Sequence, residues 1–381
     1  MLRVLADENI PAVEHYLGSA ARVERFAGRH LDAGRLDGAD ALLVRSVTPV
    51  DGRLLKGSTL RFVGSATSGH EHIDRPGLEA RGIGFAYAPG SNANAVVEYV
   101  LAAIAAVGDT LEKLVAGGVV GIVGFGYVGR ALARRLAALD IAFRVFDPWL
   151  DNVPHACDLP EILTCDVISL HCELTRALPW PSEHLLGPGE LRTVPAQSVL
   201  INASRGAVVD NRALLRRLGE SRAPAVVLDV WEGEPDIDAD LLDAVTLGTA
   251  HIAGYSQDGK VLATRMLCDA LGDFLDLELP HVDGPLAPPP PLQVPGDLRG
   301  AALLRHLLQA RYDICRDDAL LRGAVLGAGR VEARENFDEL RRHYAGRREL
   351  ACGVAVGPLA VPQDAALFRA LDCPLVPGEA A

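Results

Sequence analysis

The run Val119-Val120-Gly121-Ile122-Val123-Gly124-Phe125-Gly126-Tyr127-Val128-Gly129 constrains the fold of this chain more than any other stretch. An apolar segment ends in three glycines at G-x-G-x-x-G spacing, and a helical pattern follows over 130–138. That order reads as a buried parallel strand, a tight turn and a helix packed back on the strand. The first glycine permits the turn, the second lets backbone approach a pyrophosphate, and the third lets helix and strand touch. Amide groups and the dipole at the helix start favour negative phosphates there. Asp147 ends the next predicted strand. A carboxylate at that place accepts hydrogen bonds from both ribose hydroxyls and repels a 2′-phosphate, so the expected dinucleotide is NAD.

The glycine loop sits inside a longer alternation. Apolar runs at 2–6, 41–45, 61–66 and 84–87 form one series of predicted strands. Runs at 119–123, 143–146, 167–170, 199–202, 226–229 and 245–247 form a second. Strands alternating with helical segments imply parallel sheets covered on both faces. Two series in succession imply two α/β domains with a cleft between them. A helix is expected over 95–107, with Ser91 or Asn92 as N-cap, and another over 255–279 that returns the chain to the first domain. Residues 285–295 contain Pro288-Pro289-Pro290-Pro291, which excludes helix interior and central strand and leaves a stiff connector. Beyond it, helices at 297–312, 332–344 and 364–371 and a strand at 350–356 make a smaller α+β unit.

Length and composition exclude several classes. At 381 residues the chain is too long for one ordinary core. A net charge of -13 argues against a sequence-independent grip on nucleic acid. No run of eighteen apolar residues occurs, and the richest, 95–107, carries Glu98, so no membrane span is expected. The chain opens directly on a strand pattern without a basic leader, which argues against a secretory signal. Its 7 cysteines form no C-x-x-C pair, so no metal site is expected and reduced thiols in the cytoplasm are.

Three polar segments follow the later strands of the second series: Asn202-Ala203-Ser204-Arg205-Gly206, Asp229-Val230-Trp231-Glu232-Gly233-Glu234-Pro235 and Thr249-Ala250-His251-Ile252-Ala253-Gly254-Tyr255. Oxidising a 2-hydroxy acid requires a carboxylate clamp, a base for the hydroxyl proton and a hydride acceptor. Arg205 suits the clamp, because guanidinium meets carboxylate through two parallel hydrogen bonds. His251 suits the base, since imidazole titrates near neutrality. Glu234 suits the partner of the other ring nitrogen, fixing the tautomer. Each alone has a bland reading as a surface turn or a structural hydrogen bond; their joint occurrence downstream of the glycine loop favours the chemical one.

These motifs resemble the D-isomer-specific 2-hydroxyacid dehydrogenase family over about the first 280 residues. The resemblance implies that Arg205, Glu234 and His251 are catalytic. It also implies that Gly124, Phe125, Gly126, Tyr127, Val128 and Gly129 hold the pyrophosphate, and that Asp147 holds the ribose. Thr175, Ala203-Ser204-Arg205, Asp229 and Gly254 are then expected against NAD. The implied fold is a flavodoxin-like substrate domain (1–94 and 256–284), a Rossmann NAD domain (95–255), a connector (285–296) and a C-terminal dimerisation domain (297–381). Leu5-Ala6-Asp7-Glu8-Asn9-Ile10-Pro11, Leu43-Val44-Arg45-Ser46-Val47-Thr48, Ala88-Pro89-Gly90-Ser91-Asn92-Ala93 and His251-Ile252-Ala253-Gly254-Tyr255-Ser256 narrow it further. With Phe337-Asp338-Glu339-Leu340-Arg341 and His343-Tyr344, they resemble the branch that oxidises 4-phospho-D-erythronate in pyridoxal 5′-phosphate synthesis. Ser46, Thr67 and Tyr255 are then implied substrate contacts, and a homodimer is expected. For the phosphate, Arg45 and the pair Arg347-Arg348 are cationic candidates, against a reading of the pair as solvated surface. Gly69-His70-Glu71-His72 departs from the family's usual Gly-Thr-Asp-His segment. Two alternatives stay open: a 3-phosphoglycerate dehydrogenase with the same clamp and base, and a non-catalytic NADH-sensing scaffold.

Overall fold

The computed structural model describes residues 2–376; Met1 and residues 377–381, included in the expected spans 1–94 and 297–381, lie outside the described part. The chain divides into two compact units: Met1–Asn92 with Ser256–Ala287, and Ala93–Tyr255 with Pro288–Ala381.

In the first unit, strands β1 (Leu2–Asp7), β2 (Ala21–Phe26), β3 (Ala41–Val44), β4 (Phe62–Ser65) and β5 (Gly84–Tyr87) form one sheet in the order β2-β1-β3-β4-β5. Every pairing is parallel. This is the flavodoxin-like order of a doubly wound sheet. Alternate side chains enter opposite cores: Val4, Ala6, Ala41 and Leu43 pack with Leu267 and Leu271 of the helix Gln257–Leu275. Leu5, Leu42, Val44 and Val63 pack with Leu36, Leu55 and Leu78 on the other face. Burial of both faces explains why these strands read as continuous apolar runs. The sequence pattern misses β2, because an edge strand keeps charge: Arg22, Glu24 and Arg25 interrupt its apolar residues, and Glu24 pairs with Arg3 at 2.9 Å.

The second unit carries β6 (Val119–Val123), β7 (Ala142–Phe146), β8 (Val167–Leu170), β9 (Val199–Asn202), β10 (Ala225–Leu228) and β11 (Leu247–Gly248), ordered β11-β10-β9-β8-β6-β7. All its pairings are parallel. A bridge from Val145 to Ala156 extends the edge beyond β7. The strand order reverses between β6 and β8, and the crevice at such a reversal is where doubly wound sheets bind ligands. The helix after the glycine loop begins at Tyr127, three residues earlier than the expected start.

The C-terminal segment shares this unit's core. Leu303, Leu304, Leu307 and Leu308 of the helix Gly300–Arg311 join the cluster containing Val100 and Ile104 of the helix Ala93–Ala106. Phe337 of the helix Arg330–Arg342 joins the cluster of Trp231 and Leu242, as do Leu321 and Val325 of the helix Ile314–Val325. Ile314–Val325 is missing from the sequence reading, since its buried residues are sparse among charged ones; Asp313 caps it by accepting from Arg316 N at 3.1 Å. The predicted strand at 350–356 is a 3-10 turn, Leu350–Cys352, followed by a short strand β13 (Ala355–Val356). It lies between β12 (Leu292–Gln293) and β14 (Leu375–Val376). The proline connector thus contributes an edge strand, which its prolines tolerate because only Leu292 and Val294 N–H groups face β13.

Glu98 ties this segment to the helix Ala93–Ala106. Its Oε1 accepts from Leu350 N at 2.8 Å and from Asn94 Nδ2 at 3.2 Å, while Asn94 also donates to Glu349 at 2.7 Å. Burial, reinforced by the charge of Glu349, pushes the Glu98 carboxyl up to about 8. An acid whose folded pKa exceeds its unfolded one stabilises the fold below the unfolded value and loses that contribution as pH rises through the folded value. The melting temperature is therefore expected to fall as pH rises from about 4.5 to about 8. Glu98→Gln should flatten that slope, and an identical slope in the variant rejects the assignment.

Candidate active site

The three glycines of the loop after β6 have different surroundings. Gly124 adopts φ +90°, and a Cβ there would stand 2.5 Å from Cys172 N in the loop after β8. At Gly129 a Cβ would meet Gly124 O at 2.1 Å. Around Gly126 there is nothing within 4 Å. Backbone thus enforces the first and third glycines, while the second faces open space where a pyrophosphate can approach. Asp147 completes the cradle: its carboxylate accepts from Phe125 N at 2.7 Å and from Trp149 N at 3.0 Å, which locks it against the loop. These residues fit a dinucleotide with an unphosphorylated ribose. Further along the sheet edge, Thr175 N donates to Ser182 Oγ at 2.8 Å, and Ala203 and Ser204 follow β9.

Arg205, Glu234 and His251 follow β9, β10 and β11, three adjacent strands of one sheet edge. Asn202 shapes the first loop, accepting from Ser204 N at 3.1 Å and donating to Arg205 O at 3.0 Å. A Cβ on Gly206 would lie 2.1 Å from Trp231 C, so the residue after Arg205 must be glycine for the two loops to touch. Of the two acids in the second loop, Glu232 accepts from Asn211 N at 2.8 Å and pairs with His184 at 2.7 Å. Glu234 instead meets His251: Nδ1 and Oε1 are 2.8 Å apart.

His251 itself sits at φ +54°, a left-handed conformation that costs an ordinary residue about 1–3 kcal/mol. Asp229 holds it there. The Asp229 carbonyl accepts from His251 N at 2.7 Å, and its buried carboxylate accepts from Ile252 N at 2.7 Å and Ala253 N at 2.9 Å. The carboxylate expected against NAD is thus engaged in shaping the loop from His251 to Gly254. His251 keeps 31% of its side chain exposed and Glu234 20%. His171 is half-buried with its Nδ1 shut off from solvent, and the loss of solvation pushes its imidazole down to about 3, which makes it a poor base near neutrality.

The predicted substrate residues fall in both units. In the first, Ser46 is exposed just after β3, and Arg45 Nε donates to the buried Asp7 at 3.1 Å. Thr67 Oγ1 donates to Gly69 O at 2.7 Å and meets Ser65 Oγ at 2.6 Å. His70, where the loop departs from the family pattern, packs edge-on against Tyr87 at 5.0 Å, so the larger residue is absorbed by aromatic packing. Lys260, without a role in the sequence reading, lies near enough to Arg45 to feel its charge; burial and then that charge lower its ammonium to about 8. In the second unit, Tyr255 follows the His251 loop, and Arg341 stands over its ring at 5.9 Å. Arg347 is buried, donates to Ala95 O at 2.9 Å and Ile252 O at 3.2 Å, and stacks on Tyr312 at 4.1 Å. It is neither solvated surface nor a spare cation: it fastens the His251 loop to the C-terminal segment. Arg348 beside it is half-buried. Nothing in the local sequence separates Lys260 from other helical cations, and the Phe337–Arg341 run that carries the resemblance gives Arg341 no chemical role of its own.

No group among the described residues could hold a metal ion, and no described helix is long and apolar enough to cross a membrane. Residues 103–253 match the family model described as the D-isomer specific 2-hydroxyacid dehydrogenase NAD binding domain, and residues 285–367 match a domain of unknown function. An erythronate-4-phosphate dehydrogenase of Cellvibrio japonicus is 44% identical, over 91% of this chain and 93% of its own. Another, from Pseudomonas putida, is 41% identical over 98% and 100% respectively. The NAD+-bound 3-phosphoglycerate dehydrogenase of Entamoeba histolytica superposes with a TM-score of 0.61 at 20% identity, covering 72% of this chain and 95% of its own, which speaks for the fold. With the glycine loop, Asp147 and the Arg205, Glu234 and His251 loops on one sheet edge, the chain belongs to the erythronate-4-phosphate dehydrogenase family of NAD-dependent 2-hydroxyacid dehydrogenases.

Proposed function

We propose that the protein oxidises 4-phospho-D-erythronate to (R)-3-hydroxy-2-oxo-4-phosphobutanoate in pyridoxal 5′-phosphate synthesis. The observation that carries this reading is the 2.8 Å His251–Glu234 pair on the sheet edge that also bears Arg205. His251 takes the C2 hydroxyl proton at Nε2, because Nδ1 already faces Glu234. The Glu234 carboxylate stabilises the imidazolium so formed and keeps the ring in the reacting tautomer. Arg205 grips the C1 carboxylate and orients C2. NAD, when bound by the 124–129 loop and Asp147, supplies the hydride acceptor.

Ser46, Thr67 and Tyr255 serve as substrate contacts in this reading, and Arg45 and Arg348 as phosphate contacts. The first unit is the substrate domain, 95–255 the NAD domain and 297–381 the dimerisation domain of a cytoplasmic homodimer. Family membership over nearly the whole chain supports these assignments. The test is a panel of 2-hydroxy acids with purified protein, following NADH absorbance. We expect kcat/KM for 4-phosphoerythronate to exceed that for 3-phosphoglycerate and D-lactate at least a hundredfold, with NADP a poor substitute for NAD. A preference for 3-phosphoglycerate overturns the substrate, and no turnover with any acid overturns the activity.

A further inference from the structure

Arg341 lies on the helix Arg330–Arg342, far in sequence from the residues it accompanies. Two other arginines of that helix have carboxylate partners: Arg330 pairs with Asp236, and Arg342 with Glu339. Arg341 is placed differently. Its Nε is buried without a hydrogen-bond partner, and Nη2 reaches the Tyr255 hydroxyl only through a long 3.4 Å contact. The carboxylates whose charge it feels are Glu234 and Asp229. Glu234 uses Oε1 on His251, and its buried Oε2 has no partner either. A guanidinium offers five donors in a fixed fork, and leaving a buried one such as this Nε–H unpaired is costly unless an acceptor joins it. A phosphate has several acceptor oxygens and two negative charges, which match that fork and offset the burial. Arg205 is already assigned to the carboxylate end, so the second cation suits the other end of the acid.

We propose that Arg341, standing over the Tyr255 ring from the C-terminal segment with its buried Nε unpartnered, is a specificity-determining residue that binds the substrate's phosphate; this rests on the reading of the substrate as a phosphorylated 2-hydroxy acid. The C-terminal segment then has a role in choosing the substrate as well as in packing.

The experiment uses full-length Arg341→Ala and Arg341→Gln, with 4-phosphoerythronate and unphosphorylated erythronate as substrates and inorganic phosphate as inhibitor. We expect KM for the phosphorylated acid to rise about thirtyfold or more, as loss of charge-assisted hydrogen bonds implies, with kcat changed less than about threefold. The kcat/KM for erythronate should change far less, and competitive inhibition by phosphate should disappear. Equal losses on both acids, which would mark a residue that only positions Glu234, overturn the proposal; so does wild-type phosphate inhibition in either variant. Arg341→Gln keeps the side-chain length and serves if the alanine variant fails to fold. Phosphate inhibition reads Arg341 whichever hydroxy acid the wild type oxidises. A wild type that ignores 4-phosphoerythronate therefore rejects the substrate, while loss of phosphate inhibition in the variants still supports Arg341.

Discussion

His251→Asn is expected to lower kcat about a thousandfold while NAD affinity stays within about twofold, because a positioned acid–base group contributes about a hundred- to ten-thousandfold. Asparagine is the informative replacement. His251 occupies φ +54°, and asparagine tolerates the left-handed region better than alanine does. The variant therefore removes the imidazole without adding backbone strain to the 251–254 loop that Asp229 holds. His251→Ala should lose at least as much activity and some stability as well. Steady-state kinetics and NADH fluorescence titration separate the two effects. Activity near wild type in His251→Asn would remove the imidazole from the reaction and with it the role given to Glu234.

Arg205→Lys should lower kcat/KM about a hundredfold or more although the charge is conserved. The clamp proposed for Arg205 depends on two parallel N–H···O bonds from a planar fork; an ammonium makes one at a time and leaves the carboxylate free to rotate. Each hydrogen bond to a charged group contributes about 1.5–3 kcal/mol, so losing one and the orientation it gives accounts for that loss. Asn202 and Gly206 shape the loop through backbone contacts that the substitution leaves alone, and NAD binding should be little affected. A lysine variant with wild-type kcat/KM would rule out the two-pronged clamp.

Much of the nucleotide half was legible in the sequence because its signals are local. A parallel strand buried on both faces must be an apolar run, as Val119–Val123 and Val199–Asn202 are. Close backbone packing admits only glycine at 124 and 129. The same locality explains the misses. Strand β2 lies at a sheet edge, where charges are tolerated, and the helix Ile314–Val325 buries too few residues to show a stripe. The connector hides β12 because two residues with the right N–H groups suffice for an edge pairing.

The sequence alone determined the order of strands and loops and the chemical types at their ends, since each is written in a short run of neighbours. Only the tertiary structure decided that Asp229 shapes the His251 loop, that Arg347 is a buried fastener and that Arg341 stands beside Tyr255. Those outcomes depend on adjacent sheet strands and a distant helix setting side chains within about 3–6 Å of one another, distances that spacing along a chain does not encode.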